Sequence, residues 1–336
     1  MSAIPEQFNA FRIHDDSDGY RAGIEQVSVD DLNEGDVLIR CHFSSVNFKD
    51  ALAGTGKGKI LRRFPLCGGI DVAGVVVASD SERFAVGDEV LVTGTGLSET
   101  RDGGYAEYQR LDSRSIVPLP AGLSLREAMA LGTAGFTAGL CLYRMEANGQ
   151  RPDQGPILVT GATGGVGSLA VNLFSHAGYD VHAISGKLEQ FDYLEALGAT
   201  QCISRHELHW GQRPLETARW AGCVENVGGD MLSGITRAIM PYGNIACCGM
   251  AGGIGLQTTV MPFIIRGASL LGISSSNCPY DIRLEVWERL AGDWKPPLLD
   301  RIAEHEISLE GLVGHFETML AGDSLGRTVV RLGAEA

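Results

Sequence analysis

The fold of this chain is decided by the stretch Ile157-Leu158-Val159-Thr160-Gly161-Ala162-Thr163-Gly164-Gly165-Val166-Gly167-Ser168. Its apolar, β-branched start predicts a short buried strand, and the apolar residues beyond it predict a helix. The glycines between the two let the backbone turn sharply and approach a pyrophosphate, to which the helix N-terminus offers N–H groups. Strand, turn and helix together predict a dinucleotide-binding site, with a tight turn that binds nothing as the alternative.

Strand-like and helical segments alternate on both sides of this turn. The candidate strands lie at 157–160, 181–184, 201–203, 222–226, 244–248 and 269–273. Alternation at this spacing predicts a doubly wound parallel sheet with helices on both faces, which is the Rossmann architecture. We therefore assign residues 128–273 to a Rossmann domain of an α/β protein.

The first 120 residues follow a different pattern, in which short apolar runs are separated by turn residues. The runs near 37–43, 70–77 and 89–92 predict a mainly β, partly open barrel. Ser124 and Glu127 form a capping-box pattern that predicts the start of a helix. A helical piece and a final strand close to the end of the chain are expected to return to the barrel, so residues 1–127 and 274–336 are assigned to it.

Composition limits the class of protein and its partners. The chain has 336 residues, of which 44% are hydrophobic, and its net charge is −14. This apolar content excludes disorder, the acidic charge argues against nucleic acid or an anionic membrane, and no run approaches ~18 apolar residues. Eight cysteines without a C-x-x-C pair or a signal-peptide pattern predict reduced thiols in a cytoplasmic protein.

The end of the second Rossmann strand predicts which nicotinamide cofactor binds. Ser185, Gly186 and Lys187 follow this strand, where a site for NADH places an acid that bonds the ribose hydroxyls. A hydroxyl and an ammonium group suit a 2′-phosphate instead. Arg205, just beyond the third strand, could add a second cation, so the sequence favours NADPH over the alternative of two solvated surface cations.

Zinc ligands are missing from the places where an alcohol dehydrogenase of this architecture carries them. The first ligand is expected within Ser45-Val46-Asn47-Phe48-Lys49-Asp50, and a Gly-His-Glu motif is replaced by Gly69-Ile70-Asp71. Neither segment holds the Cys and His ligands that zinc prefers. We therefore expect no metal site, and the absence of G-x-S-x-G argues against a serine hydrolase.

Together these residues resemble the medium-chain dehydrogenase/reductase superfamily in its zinc-free, quinone-oxidoreductase-like branch. The resemblance is narrower to the NADPH-dependent acryloyl-CoA reductase family. It rests on segments spread over nearly the whole chain: Ser45 to Asp50, Thr55-Gly56-Lys57-Gly58-Lys59, Gly132 to Ala138, Thr160 to Gly167, Trp220-Ala221-Gly222, Thr259-Val260-Met261-Pro262-Phe263 and Gly326-Arg327-Thr328.

The resemblance implies a GroES-like catalytic domain and a Rossmann domain in each subunit of a homodimer, and reduction of an α,β-unsaturated CoA thioester. It places cofactor contacts on Phe48, Thr163, Gly164, Gly165, Val166, Ser185, Gly186, Lys187, Arg205, Met250, Ile264, Ser275 and Gly322. Members of the family often carry Tyr where this chain has Phe48. A phenyl ring cannot donate a proton, so a role for this position as proton donor is not expected.

The chemistry of such a reduction suggests further site residues. Hydride addition to Cβ creates a negative oxygen that fixed donors must stabilise, with Asn47 as the first candidate and Lys49 as the second. Asp50 is expected to orient Lys49. The alternative is a structural turn tied by the Asn47 and Asp50 side chains.

A basic loop supplies a candidate site for the CoA phosphates. Lys57, Lys59 and Arg62 are interleaved with glycines that let this loop bend around a ligand. A solvated basic loop is the alternative. Two other functions remain open at this stage: an NADPH quinone or enone oxidoreductase, and a non-catalytic NADPH-binding protein.

Overall fold

The structure is a computed structural model that describes residues 4–333, and its internal contacts divide the chain into two compact units. The first unit comprises Met1–Thr133, Ser276–Ala291 and Ala303–Ala336. The second comprises Ala134–Ser275 and Gly292–Ile302. The domain limits assigned from sequence stay a prediction, and residues 1–3 and 334–336 of the assigned β domain lie outside the described residues.

The secondary structure follows the two patterns found in the sequence. Along the chain, the strands are β1 (Phe8–Asp16), β2 (Gly19–Val27), β3 (Val37–Ser45), β4 (Leu66–Cys67), β5 (Asp71–Ser79), β6 (Glu89–Thr93), β7 (Tyr108–Leu111), β8 (Val117–Pro118), β9 (Ile157–Val159), β10 (Val181–Ser185), β11 (Gln201–Ser204), β12 (Trp220–Glu225), β13 (Ile239–Cys247), β14 (Ser269–Gly272), β15 (His305–Ile307) and β16 (Thr328–Arg331). The α-helices are α1 (Phe48–Gly54), α2 (Leu125–Ala147), α3 (Gly165–His176), α4 (Phe191–Ala196), α5 (Gly229–Ala238), α6 (Met261–Ile265), α7 (Tyr280–Ala291), α8 (Leu299–Ile302) and α9 (Leu312–Ala321).

The first unit is built on antiparallel strands. Its larger sheet has the order β15-β16-β3-β5-β6-β8, with β7 also paired to β3, and a smaller sheet has the order β2-β1-β4. Ile39, Val72 and Val90 of the central strands share a buried core with Phe316 of α9. The last strand, β16, pairs with β3, so the end of the chain lies in this unit.

The second unit is a parallel six-stranded sheet with the order β11-β10-β9-β12-β13-β14. Each strand predicted here overlaps an observed strand, so the Rossmann prediction is confirmed. The strand order reverses at β9, between β10 and β12, and ligands bind such sheets at this point. β13 starts earlier than predicted, because Ile239 already pairs with Trp220; the register then shifts between Trp220 and Gly222.

The capping box that was predicted for α2 is present. The Ser124 hydroxyl and backbone N–H both donate to Glu127 Oε2, at 2.9 and 2.8 Å. α2 is interrupted at Gly132, which has φ +51° and ψ −156°. No helix within residues 4–333 combines the length and the apolar character of a membrane span.

Candidate active site

The glycine turn between β9 and α3 has the geometry of a nucleotide cradle. Gly161 lies in the left-handed region, at φ +58°. A Cβ atom on Gly167 would stand 2.2 Å from the Gly161 carbonyl oxygen, so neither position tolerates a larger residue without distortion. Gly164 is the N-cap of the twelve-residue helix α3, whose first N–H groups and dipole favour an anion. The turn therefore fits a dinucleotide diphosphate.

The residues predicted for the 2′-phosphate lie at or just beyond the carboxyl ends of β10 and β11, two strands that pair in parallel. The Ser185 hydroxyl accepts the Lys187 N–H at 3.0 Å and lies 3.4 Å from the Thr163 hydroxyl. The Arg205 side chain packs on Gly186, where a Cβ atom would stand 2.4 Å from Arg205 Nε. The structure thus brings Ser185, Gly186 and the Arg205 side chain together, with Lys187 next in the chain. Their binding of a 2′-phosphate stays a prediction.

The remaining predicted cofactor contacts are spread over both units. Gly164, Gly165 and Val166 lie at the start of α3, and Met250, Ile264 and Ser275 also belong to the second unit. Phe48 and Gly322 belong to the first unit, where they begin α1 and cap the C-terminus of α9. Their contacts with a cofactor stay predictions.

A group of buried and half-buried polar side chains lies in the first unit, where β3 ends and β5 begins. This buried polar cluster consists of Ser45, Asn47, Asp50, Asp71, Tyr105, Thr133 and Arg327. Asp71 Oδ2 accepts hydrogen bonds from Ser45 Oγ at 2.6 Å, Asn47 Nδ2 at 2.8 Å and the Thr133 N–H at 2.9 Å. Arg327 Nη2 stands 3.9 Å from the same oxygen, so a buried carboxylate is matched by a buried cation.

Arg327 ties three segments of the first unit together. Its guanidinium group donates to the Val46 carbonyl at 2.7 Å, to the Ala130 carbonyl at 3.1 Å and to Ser45 Oγ at 2.7 Å. Gly132 is required next to it, since a Cβ atom there would stand 2.8 Å from Arg327 Nη2. The interruption of α2 therefore makes room for the cluster.

Asn47 and Asp50 are bound to each other rather than presented to a ligand. Asp50 Oδ2 accepts from the Asn47 backbone at 2.8 Å and from its side-chain Nδ2 at 3.2 Å, while the Ile70 N–H donates to Oδ1 at 2.9 Å. Asn47 Nδ2 also donates to Asp71, so both of its hydrogens point to carboxylates. Burial, reinforced by the charge of Asp71, raises the pKa of Asp50 to about 7.

Lys49 has a different partner from the one expected. Its ammonium group forms an ion pair with Glu99, and about a third of the side chain is exposed. Asp50 faces Asn47 and Ile70 instead of Lys49. On helix α1 the Asp50 carboxyl group is therefore buried, whereas the Lys49 ammonium group next to it in the chain is partly exposed.

The basic loop, which we define as residues 54–63, presents four exposed cations. They are Lys57, Lys59, Arg62 and Arg63. None of them forms an ion pair with another residue between 4 and 333. Free, exposed cations on a glycine-rich loop are available to an anionic ligand.

The base of this loop is held by Tyr20, from the hairpin of β1 and β2. The Tyr20 hydroxyl donates to the Ala53 carbonyl, and its ring packs edge-on against Phe64 at 5.8 Å. A Cβ atom on Gly56 would stand 2.8 Å from the Tyr20 ring. The loop is therefore fixed at its base while its cations stay accessible.

Among the residues that the structure describes, no group of three or more His, Cys, Asp or Glu side chains is arranged so that it could hold a metal ion. At the two places where sequence reasoning looked for zinc ligands, Asn47 and Asp71 make hydrogen bonds to each other and to neighbouring polar groups. That no metal is needed stays a prediction.

The two units match known domain families. Residues 33–121 match the alcohol dehydrogenase GroES-like domain, and residues 165–292 match the zinc-binding dehydrogenase family. Together with the parallel sheet and its glycine turn, these matches define a two-domain nicotinamide-dependent oxidoreductase fold. The chain belongs to the medium-chain dehydrogenase/reductase superfamily, in its quinone-oxidoreductase-like branch.

Relatives match almost the entire chain. It is 43% identical to the acrylyl-CoA reductase AcuI of Ruegeria pomeroyi over 330 residues, 97% of this chain and 100% of the relative. It is 45% identical to YhfP of Bacillus subtilis, provisionally named a quinone oxidoreductase, over 97% of this chain and 99% of the relative. The crystal structure of the YhdH oxidoreductase of Salmonella enterica in complex with NADP superposes with a TM-score of 0.94, at 43% identity, over 97% of this chain and 100% of that one.

Proposed function

We propose that this protein uses NADPH to reduce the C=C bond of an α,β-unsaturated acyl-CoA, with acryloyl-CoA as substrate and propionyl-CoA as product. The observation that carries the proposal is the 43% identity to an acrylyl-CoA reductase along 97% of this chain. The exposed cations of the basic loop support it, because CoA carries phosphates at the end remote from the reacting carbons.

The second unit offers the groups that would hold the cofactor. The glycine turn fits the diphosphate, and Ser185, Lys187 and Arg205 fit the 2′-phosphate, since hydroxyl and cationic groups favour a phosphate dianion. When bound, NADPH supplies the hydride that Cβ of the enoyl thioester takes up. The chain must then stabilise negative charge on the thioester oxygen and let a proton reach Cα.

Lys49 is the better of the two candidate donors to this oxygen. Its ammonium group has three N–H donors, so the ion pair with Glu99 leaves donors for a substrate. Asn47 directs both side-chain hydrogens at buried carboxylates, and its role in our proposal is to hold the start of α1. Because Phe48 has no hydroxyl, water delivers the proton to Cα.

A comparison of acceptors tests the proposal. Initial rates of NADPH oxidation are measured with acryloyl-CoA, with a simple quinone and with no acceptor, and the CoA product is identified by mass spectrometry. We expect rapid oxidation with acryloyl-CoA and formation of propionyl-CoA. Turnover with the quinone alone would favour the second candidate, a quinone oxidoreductase, which the 45% identity to YhfP supports. Binding of NADPH without turnover would contradict both.

The cofactor preference should depend on Lys187. We expect Lys187→Ala to weaken NADPH binding about tenfold or more, since one charge-assisted hydrogen bond contributes roughly 1.5–3 kcal/mol. NADH binding should hardly change, because NADH lacks the 2′-phosphate. Fluorescence titration with both cofactors measures the effect. The control is Arg213→Ala, which removes an exposed cation of the same unit. Equal losses for NADPH and NADH would rule out this 2′-phosphate site.

The CoA site should depend on the basic loop. We expect the double change Lys57→Ala with Lys59→Ala to lower kcat/KM for acryloyl-CoA at least roughly tenfold, about 1.4 kcal/mol. High salt should act in the same direction, because exposed charges are screened. A small quinone or enone has no phosphates and should be turned over almost as before.

The control for this loop is Arg114→Ala, which removes an exposed cation elsewhere in the first unit. It should leave the kinetics with acryloyl-CoA unchanged. If the double change lowered turnover of both acceptor types equally, or of neither, the basic loop would not be the CoA site.

We also propose that the protein is a homodimer. Large apolar side chains are exposed in the second unit beyond β13, among them Ile254, Val260 and Ile265. β14 is the last strand of the six-stranded sheet, and both exposed apolar side chains and a sheet edge favour self-association. Sedimentation velocity should give a particle of about twice the chain mass of 35.8 kDa. A monomer at micromolar concentration would contradict this proposal.

A further inference from the structure

A buried carboxylate of the second unit takes no part in the reaction outlined above. Glu225 is the last residue of β12, and its side chain is fully buried. A carboxylate is stable in such a place only when hydrogen bonds replace its hydration. The hydrogen-bond donors to Glu225 therefore show which segments this carboxylate holds in place.

Four hydrogen bonds reach the Glu225 carboxylate. Oε1 accepts from the N–H of Val227 at 2.9 Å, from the N–H of Gly228 at 3.0 Å and from Thr160 Oγ1 at 3.2 Å. Oε2 accepts from the Gly228 N–H at 2.9 Å. Burial raises the pKa of Glu225, and the backbone N–H groups of Val227 and Gly228 oppose that rise. The carboxylate thus links the loop after β12 to Thr160.

Thr160 connects this carboxylate to the glycine turn. It directly precedes Gly161, and its hydroxyl accepts the Asn226 N–H at 2.8 Å. Since a hydroxyl has a single hydrogen, the Thr160 hydrogen points at Glu225. The Thr160 carbonyl also accepts from Asn226 Nδ2 at 2.7 Å, so the start of the turn is held on both its side chain and its backbone.

A third loop joins the same network. The N–H groups of Cys248 and Gly249, which follow β13, donate to the Glu225 carbonyl at 2.9 and 3.2 Å. A Cβ atom on Gly249 would stand 2.1 Å from the Asn226 carbonyl oxygen. The loops that leave β9, β12 and β13 are therefore locked together at the carboxyl edge of the sheet, where ligands of this architecture bind.

We propose that Glu225 is a positioning residue for the cofactor: through the Thr160 hydroxyl it fixes the start of the glycine turn in the conformation that receives the diphosphate. The inference rests on the proposed binding of NADPH to that turn. A glycine turn that is held in place before binding loses less conformational freedom when NADPH binds, so the affinity of the protein for NADPH is higher.

A pair of variants at Thr160 separates the hydroxyl from the side-chain shape. Thr160→Val keeps the shape and removes the hydroxyl, whereas Thr160→Ser keeps the hydroxyl. Fluorescence titration measures the Kd of NADPH, and thermal unfolding without cofactor measures stability. We expect Thr160→Val to raise the Kd about tenfold and Thr160→Ser to change it less than about twofold.

Glu225→Gln gives an independent test of the same link. We expect this variant to raise the Kd as well, and the double variant with Thr160→Val to bind no more weakly than the weaker single variant. Independent, multiplying effects on the Kd would overturn the proposal. If Glu225→Gln does not fold, the Thr160 pair decides alone.

The outcomes at Thr160 are equally decisive. An unchanged Kd for Thr160→Val, with or without a lower unfolding temperature, would show a merely structural role and overturn the proposal. Equal losses in Thr160→Val and Thr160→Ser would do the same, because the hydroxyl would then be irrelevant. Failure of the unmodified protein to bind NADPH would overturn the proposed function itself, so the two failures are distinguishable.

Discussion

Replacing Arg327 by methionine is expected to destabilise the first unit by about 3–5 kcal/mol, the usual cost of leaving one partner of a buried ion pair uncompensated. Arg327 is 2% exposed, and Asp71 beside it is fully buried. The variant also removes the donors to the Val46 and Ala130 carbonyls. Methionine has a similar length, so the loss reflects the missing charge and hydrogen bonds rather than a large cavity.

Urea unfolding measures this effect, and the same substitution at Arg331 is its control. Arg331 lies on β16, pairs with Glu306 and is partly exposed, so its loss should cost no more than about 1 kcal/mol. A similar loss of stability in Arg327→Met and Arg331→Met would contradict the importance of the buried polar cluster.

The parts of the site that sequence reasoning found are those in which the pattern is local. The glycine turn is recognisable because strand, glycines and helix follow one another within a few residues. Lys187 and Arg205 are predicted to act together because each closely follows a strand, and neighbouring parallel strands end at the same edge. Their binding of a 2′-phosphate stays a prediction. The capping box of α2 needs only Ser124 and Glu127.

The parts that were missed depend on partners far apart in the chain. The sequence marks Asp71 only as a position that lacks a zinc ligand, and Arg327 only as part of a family segment. A return of the chain end to the barrel does not show which side chains meet there, so their pairing is not predicted. The sequence predicts Asn47 as a donor to substrate, because it does not show that Asp50 and Asp71 both accept from this side chain. Glu225 carries no local motif, although an acid that ends an apolar strand is a usable signal.

The stability of the first unit should fall as the pH rises toward neutrality, because of Asp50. Burial and the nearby charge of Asp71 raise the pKa of Asp50 from 3.8 to about 7. Below the unfolded-state pKa, Asp50 is protonated in both states. Between the two pKa values the unfolded chain releases this proton and the folded chain keeps it, so folding takes up a proton and becomes less favourable with rising pH.

The comparison that isolates this contribution is between the unmodified protein and Asp50→Asn. Because an amide nitrogen cannot accept, the substituted side chain would lose at least one of the three hydrogen bonds that Asn47 and Ile70 donate to the carboxyl group, which lowers stability by a constant amount at every pH. The informative quantity is therefore the slope. We expect the stability difference between the two proteins to change by ~1.4 kcal/mol for each pH unit between about pH 4 and about pH 7, and to level off above that. Urea unfolding at several pH values measures it. Parallel pH profiles for the two proteins would mean that Asp50 is ionised across this range, and that the donors from Asn47 and Ile70 outweigh its burial.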